Sequence, residues 1–316
     1  VNFQYNRLVT KFGRPMLKND SDEEDVLKPC DMTILAMGKF GGKEMSYQSD
    51  LDVVFLYEGE GNTEAVYPGD GRRSTTNQHF FSELAQRIIQ MTGRLSTFGR
   101  LYEIDARLRP TGKSGSLAIS LAEFERYFTE GSGQLWERQA LCKARPILGS
   151  KRFVKATNRT IQKAISSRRW QKSNVQEIYD MRERQIKETN VGNLKRGRGG
   201  VCDIEFLVQM LQLKHGRRVA SIRKPNTLDT LKELYRTELL DPEDVLFFTA
   251  AYRALRTVEM RLHLIDAIQG TKLPEDPTKL TQLAHLLGYT DTNLLVADCR
   301  NYTEETRKRF DRIFGM

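Results

Sequence analysis

Two aspartates stand at the start of an apolar run in the segment SDLDVVFLYE, residues 49–58. The valines and aromatic residues of this run predict a buried β-strand. Successive side chains of a strand point to opposite faces, so Asp50 and Asp52 share one face. Two neighbouring carboxylates repel each other unless a proton or a cation lies between them. The run therefore indicates a cation site where the strand begins, unless Asp50 only caps a turn and Asp52 is only solvated.

A glycine-rich turn precedes the aspartates. The apolar run DMTILAMG, residues 31–38, predicts a first buried strand, and the turn KFGGKEMSYQ, residues 39–48, leads from it to the second. Backbone N–H groups in such a turn can bind phosphate oxygens, particularly where a helix begins. Phosphate-binding backbone beside paired carboxylates is an arrangement that suits a metal-bound nucleotide.

A further acidic segment, LYEIDARLRP at 101–110, alternates charged and mostly apolar side chains. This alternation predicts a half-buried strand that ends at Pro110. Asp105 lies on its charged face and is the candidate for a third carboxylate. Carboxylate oxygens and substrate phosphates are typical Mg²⁺ ligands. Three carboxylates can complete a two-ion site, in which one ion activates the attacking oxygen and the other holds the phosphates.

The second half of the chain has a different pattern. After about residue 150 the strand signal fades and helical spacing takes over. Asp241 and Pro242 predict a helix start, and Gly288 predicts a helix end. We therefore expect an α/β domain followed by a helical bundle, with the junction near Gly149.

Composition limits the class of protein. The 316 residues are enough for one large domain or two ordinary ones, and the net charge of +9 favours an anionic partner. No apolar run reaches the roughly 18 residues of a membrane-spanning helix. The four cysteines have no metal-binding or disulfide spacing, which predicts reduced thiols in a cytosolic protein. The chain begins with Val1, so it can be a piece of a longer polypeptide.

Four motifs carry a family resemblance. The string MGKFGGKEMSYQSDLDVVFLYE resembles the glutamine synthetase adenylyltransferase family, within the DNA polymerase β-like nucleotidyltransferase superfamily. YEIDARLRPTGKSGSL, WERQALCKARPILG and GRGGVCDIEFLVQ match that family in the same order. The resemblance implies an α+β nucleotidyltransferase domain at 1–150, with a small mixed sheet and flanking helices. An all-α helical bundle at 151–316 would follow it.

The resemblance also implies roles for individual residues. Asp50, Asp52 and Asp105 would be the catalytic carboxylates and would bind two Mg²⁺ ions, with ATP as substrate. Asp105 would also help to deprotonate or position the incoming hydroxyl. The residues implied to contact the nucleotide phosphates or pyrophosphate are Gly41, Gly42, Ser49, Lys39, Arg107 and Arg109. A structural ion pair is the alternative role for the two arginines.

The family implies that the chain moves AMP from ATP to a tyrosine hydroxyl of glutamine synthetase, in the cytoplasm. The PII signalling protein and glutamine would regulate the full-length enzyme. The opposite reaction, removal of AMP by phosphorolysis, stays open, because related halves of these enzymes share one fold and metal site. An RNA nucleotidyltransferase and a regulatory scaffold with a vestigial metal site stay open as well. No aromatic-rich basic stripe or RNA-binding motif supports a nucleic-acid partner.

One motif has two interpretations. GRGGVCDIEF, residues 197–206, can be a flexible cationic loop that closes over the nucleotide. It can equally be a turn between domains in which Asp203 is an acidic residue in the first turn of a helix.

Overall fold

The computed structural model describes residues 1–18, 28–46, 49–65, 74–95, 97, 99, 102–265 and 271–316. Two compact units account for the chain, one of Val1–Met45 with Ser49–Arg168 and the other mainly of Arg169–Met316. Their elements confirm the mixed α/β class. The assignment of domains to 1–150 and 151–316 stays a prediction, although the compact units themselves divide at residues 168 and 169.

The first unit contains all seven strands found in the described residues. These are β1 Arg14–Pro15, β2 Met32–Ala36, β3 Leu51–Tyr57, β4 Thr63–Glu64, β5 Ile104–Asp105, β6 Ala118–Ser120 and β7 Arg145–Pro146. The main sheet has the order β5-β3-β2-β7. β2 pairs antiparallel with β3 and β7, whereas β5 and β6 run parallel to β3, along its beginning and its end respectively.

The helices of the first unit cover both faces of the sheet. They are α1 Asn2–Phe12, α2 Gly38–Gly42, α3 Asn77–Thr92, α4 Leu121–Thr129, α5 Leu135–Leu141 and α6 Lys151–Ile165. Val53 and Phe55 of β3 belong to a core cluster shared with α1 and α3. Val54 belongs to a second cluster, shared with α4, α5 and α6. This alternation is why β3 is a continuous apolar run, since a strand with both faces covered needs no polar side chains.

The described part of the second unit is helical. Its α-helices are α7 Ser173–Lys187, α8 Val201–His215, α9 Thr227–Arg236, α10 Pro242–Ile265, α11 Pro277–Leu286 and α12 Thr292–Phe314. The predicted start of α10 is confirmed, because the Asp241 carboxylate accepts the Glu243 N–H at 2.9 Å. α11 ends at Leu286, close to the predicted end at Gly288.

The GRGG loop of the second unit is fixed by buried polar contacts. Arg182 of α7 donates to the carbonyls of Arg196 and Gly197 at 2.8 and 2.9 Å. The same side chain forms an ion pair with Asp203 of α8 at 2.7 Å, and both side chains are 0% exposed. Asp203 in turn accepts the Gly199 N–H at 2.7 Å. These contacts describe a fixed turn and not a flexible loop, but the turn connects α7 and α8 within the second unit and does not link the domains.

In the described part of the chain, we find no helix that combines the length and the apolar character needed to span a bilayer.

Candidate functional site

The two central aspartates occupy paired positions on neighbouring strands. In the parallel register of β3 and β5, Leu51 lies opposite Ile104 and Asp52 opposite Asp105. Leu51 and Ile104 pack against the cluster shared with α1 and α3, so Asp52 and Asp105 point to the other face. Asp50 lies two residues before Asp52, immediately outside the strand. The structure thus places the Asp52 and Asp105 side chains together at one edge of the sheet.

Gly38 leaves room for the Asp52 carboxylate. Gly38 has a φ of +50°, and a methyl group there would lie 2.5 Å from Asp52 Oδ2. The Asp52 backbone is anchored as well, because its carbonyl accepts the Met37 N–H at 2.9 Å. The start of α2 and the start of β3 are therefore in direct contact, and the position of one depends on the other.

Arg107 contacts the third aspartate. Its Nε donates to Asp105 Oδ1 and Oδ2 at 2.9 and 2.7 Å, and its Nη2 also bonds to Oδ2. The hydrogen bonds from Arg107 are the main cause that lowers the pKa of Asp105. Asp52 and Asp50 add to the effect of Asp105 in raising the pKa of Arg107. All three carboxylates thus lie within electrostatic reach of one guanidinium group.

The predicted strand at 101–110 is wrong in its length. Leu101 lies outside the described residues, and within the rest of the segment only Ile104–Asp105 is a strand. The Arg107 N–H turns back to Asp105 Oδ1 at 2.8 Å. An aspartate side chain that accepts a backbone N–H two residues on forms a turn of its own, which ends the strand.

Arg109 has a structural position. Its Nη1 donates to the Ala106 carbonyl at 2.6 Å, and its Nε and Nη2 donate to the Gly115 carbonyl at 3.3 and 3.2 Å. The guanidinium group therefore closes the turn that follows β5. A role for Arg109 in phosphate binding stays a prediction.

The glycine turn folds as the short helix α2. Gly41 and Gly42 are buried, and Lys39 and Ser49 are half-buried. A methyl group at Gly41 would lie 1.9 Å from the Lys143 carbonyl, so this glycine is required for close packing. Tyr47 and Gln48 of the same motif lie outside the described residues.

Two residues of the WERQALCKARPILG motif make contacts that the sequence did not predict. Arg145 donates to the carbonyls of Phe40 and Gly41, both at 3.0 Å, and Lys143 forms a buried ion pair with Glu44. The signal in the sequence was a pair of cations directly before a proline. Their contact with α2, about a hundred residues earlier, depends on the pairing of β2 with β7, which the sequence does not reveal.

The carboxylates suit Mg²⁺ in their chemistry. Asp52 and Asp105 are paired hard oxygen donors, and Gly38 places no side chain against Asp52. In the part of the chain that the structure describes, no three acidic, histidine or cysteine side chains are grouped closely enough to hold a metal ion as they stand. The Asp105 carboxylate is turned towards Arg107 instead. The arrangement can support in-line phosphoryl or nucleotidyl transfer, which depends on positioning and charge stabilisation.

Each half of the chain matches a different known family. The family described as Glutamate-ammonia ligase adenylyltransferase matches residues 1–160. The family described as GlnD PII-uridylyltransferase matches residues 172–316. The division between the two matches falls close to the division between the compact units.

Two curated relatives match the chain along nearly its whole length. Both are named bifunctional glutamine synthetase adenylyltransferase/adenylyl-removing enzyme. The protein of Neisseria meningitidis serogroup A is 34% identical over 320 residues, covering 100% of this chain and 34% of the relative. The protein of Ralstonia nicotianae is 31% identical over 328 residues, covering 96% of this chain and 33% of the relative. The chain thus spans about a third of the length of each relative.

Proposed function

Because the chain belongs to the glutamate-ammonia ligase adenylyltransferase family, we propose that it transfers AMP from ATP to a tyrosine hydroxyl of glutamine synthetase. The observation that carries this proposal is the pairing of Asp52 with Asp105 beside the glycine turn. The relatives are named for both adenylylation and its reversal. We assign the transfer direction to this chain, because its YQSDLDVVFLYE, YEIDARLRP and WERQAL motifs resemble the transferring half of the family more closely.

The site residues divide the work of the transfer. Asp50, Asp52 and Asp105 would hold two Mg²⁺ ions, which offset the charge of the ATP phosphates when bound. Asp105 orients the tyrosine hydroxyl and accepts its proton or its hydrogen bond. Arg107, whose side chain is 67% exposed, exchanges its bond to Asp105 for the phosphates.

The remaining assignments follow from the same family. The residues that we propose to line the phosphates are Gly41, Gly42, Ser49, Lys39 and Arg109. The catalytic site lies in a nucleotidyltransferase domain, and the helical unit that follows carries regulation. The match to a family named for PII uridylylation supports a contact with the PII signalling protein there. Glutamine stays a predicted regulator, and we place the enzyme in the cytoplasm, where free thiols such as these four persist.

The proposal is tested by incorporation of labelled AMP from ATP into glutamine synthetase. Asp52→Asn and Asp105→Asn should each lower the rate by at least about 10²–10³-fold, as is usual when one transition-state contact is lost. Asp180→Asn, at an exposed position on α7, should leave the rate unchanged. Incorporation that survives both active-site substitutions would refute the proposal.

A second assay separates the two directions. Adenylylated glutamine synthetase and inorganic phosphate are supplied in place of ATP, and release of ADP is measured. The transferring assignment predicts Asp52-dependent incorporation of AMP and little release of ADP. Asp52-dependent release without incorporation would reverse the assignment.

A further inference from the structure

We infer that Lys143 and Arg145 are positioning residues for the nucleotide, because they hold the glycine turn of α2 against Asp52. This inference rests on the proposed function and extends it to two residues that do not reach the acidic cluster themselves. Both lie in the tripeptide Lys143-Ala144-Arg145, where α5 leads into β7.

Arg145 fixes the end of α2. β7 pairs with the end of β2, with Arg145 opposite Ala36, two residues before the helix starts. From this position Arg145 Nε donates to the Gly41 carbonyl and Nη2 to the Phe40 carbonyl, both at 3.0 Å. The last carbonyls of a helix have no partner within the helix itself. One planar guanidinium group therefore binds two of them, at Phe40 in addition to the Lys43 N–H at 3.3 Å, and sets the orientation of the turn.

Lys143 fixes the residues that follow the turn. Its Nζ lies 2.5 Å from Glu44 Oε2, and the two side chains are only 7% and 5% exposed. Glu44 follows Lys43, which ends α2 in the left-handed conformation with a φ of +58°. The Glu44 N–H also donates back to the Lys39 carbonyl at 2.8 Å. The ion pair thus keeps the chain close to α2 after the helix ends.

The position of the turn is transmitted to the acidic site through Gly38. The absence of a side chain at Gly41 lets α2 approach the Lys143 carbonyl, where a methyl group would lie at 1.9 Å. At its other end, Gly38 lies against the Asp52 carboxylate. The helix has five residues, so it has little internal stability of its own. Its position therefore depends on the contacts from Lys143 and Arg145.

A buried ion pair is weak evidence for a role in stability, because desolvation of the two charges offsets most of their attraction. Its directional bonds do fix the geometry of the groups it joins. The two bonds of Arg145 end on Phe40 and Gly41 of α2, and the bond from Lys143 to Glu44 ends two residues beyond the helix. This is the arrangement expected of groups that position a binding turn.

The experiment compares arginine variants in the 316-residue chain, by steady-state AMP incorporation with ATP and glutamine synthetase varied separately. Arg145→Gln should raise the KM for ATP at least tenfold and leave the KM for glutamine synthetase unchanged. The KM for ATP of Arg145→Lys should lie between those of the parent and Arg145→Gln, because an ammonium group does not reproduce the planar pair of donors. Arg152→Gln is the matched control, since Arg152 binds Glu58 in an exposed ion pair of the same unit.

The KM for ATP separates positioning from damage to the fold. Partial unfolding lowers the amount of active enzyme and hence the apparent kcat, but it leaves this KM unchanged. A folded Arg145→Gln with a KM for ATP within twofold of the parent would overturn the inference. Should that variant not fold, the same criterion applies to Arg145→Lys. If the parent shows no Asp52-dependent incorporation, the proposed function has failed; if it does and Arg145→Gln behaves like the parent, only this inference has failed.

Discussion

Gly38 and the Asp52 carboxylate occupy a space that has no room for another carbon atom. The left-handed φ of +50° at Gly38 already disfavours any other residue, and a methyl carbon added there would collide with Oδ2 at 2.5 Å. The carboxylate is the movable partner in this contact, because the backbone of Asp52 is held by β3. A side chain at Gly38 would therefore displace the carboxylate from its position.

We predict that Gly38→Ala lowers the rate of AMP incorporation by about 10²-fold, since a shift of about 1 Å in a reacting group has an effect of this size. Stability should fall by only about 1–2 kcal/mol from the left-handed backbone. Gly288→Ala is the control, because Gly288 has a φ of +79° and no atom within 4 Å of the added carbon. Equal activity in the two variants would contradict the prediction.

At the scale of single residues, the sequence predicted the features that local geometry determines. The apolar run after Asp52 predicted a strand, which is β3, and the alternation around Asp105 predicted a second strand, which is the short β5 beside it. The shared face of Asp50 and Asp52 stays a prediction. A structural ion pair was one of the two roles expected of Arg107. Its partner Asp105 was not predictable, because the bond depends on a turn where a strand was expected. The contacts of Arg145 were missed for another reason, since they join positions more than 100 residues apart.

At the scale of elements, α7, α8 and α12 meet around a buried cluster of charges. Asp203 of α8 is in contact with Arg182 of α7 and, at 3.5 Å, with Arg307 of α12. Gly199 packs against the same junction, because a methyl group there would lie 1.8 Å from the Thr303 carbonyl. Three helices and the GRGG loop thus share one set of polar contacts.

We predict that Arg182→Met lowers the free energy of unfolding of the second unit by about 3 kcal/mol or more, because it leaves the buried Asp203 carboxylate with incomplete compensation. The measurement is urea unfolding followed by circular dichroism. Arg184→Met, on an exposed position of the same helix, should change stability by less than about 0.5 kcal/mol. A similar small change in both variants would show that the buried charge cluster is not required for the stability of the second unit.

Helices were the elements best predicted from sequence. Capping residues act locally, and Asp241 accepts the Glu243 N–H at 2.9 Å at the start of α10, where its pairing with Pro242 predicted a helix start. The strand at 101–110 was overestimated, because alternation of side chains does not reveal an aspartate that bonds to the backbone two residues on. Side-chain competition for backbone donors is the physical reason that short acidic strands are hard to delimit.

At the scale of the whole molecule, the four cysteines are free thiols in surroundings that disfavour charge. Burial raises the pKa of Cys142 to about 12 and the pKa values of Cys30, Cys202 and Cys299 to about 11. The unfolded chain ionises its thiols near pH 9. The contribution of the neutral thiols to the free energy of unfolding is therefore complete below about pH 9. It is lost as the pH rises towards the pKa values of the thiols in the folded protein.

We predict that the free energy of unfolding falls between pH 8 and pH 10.5, with Cys142 alone accounting for about 2 kcal/mol of the loss. Urea titrations at the two pH values measure the fall. Cys142→Ser removes the thiol and should therefore show a smaller fall than the parent chain. An identical fall in both proteins would exclude Cys142 as a source of the alkaline instability.

Asp52 and Asp105 lie on two paired strands that differ greatly in length and in the number of neighbouring strands. β3 has seven residues and neighbours on both sides, whereas β5 has two residues at the end of the sheet order. At this edge the Leu51 N–H donates to the Glu103 carbonyl at 2.8 Å. Local unfolding begins where a segment has the fewest buried contacts and backbone hydrogen bonds. The segment that carries Asp105 can therefore detach while β3 and its core stay intact. Separating Asp105 from Asp52 should cost less free energy than unfolding the whole domain.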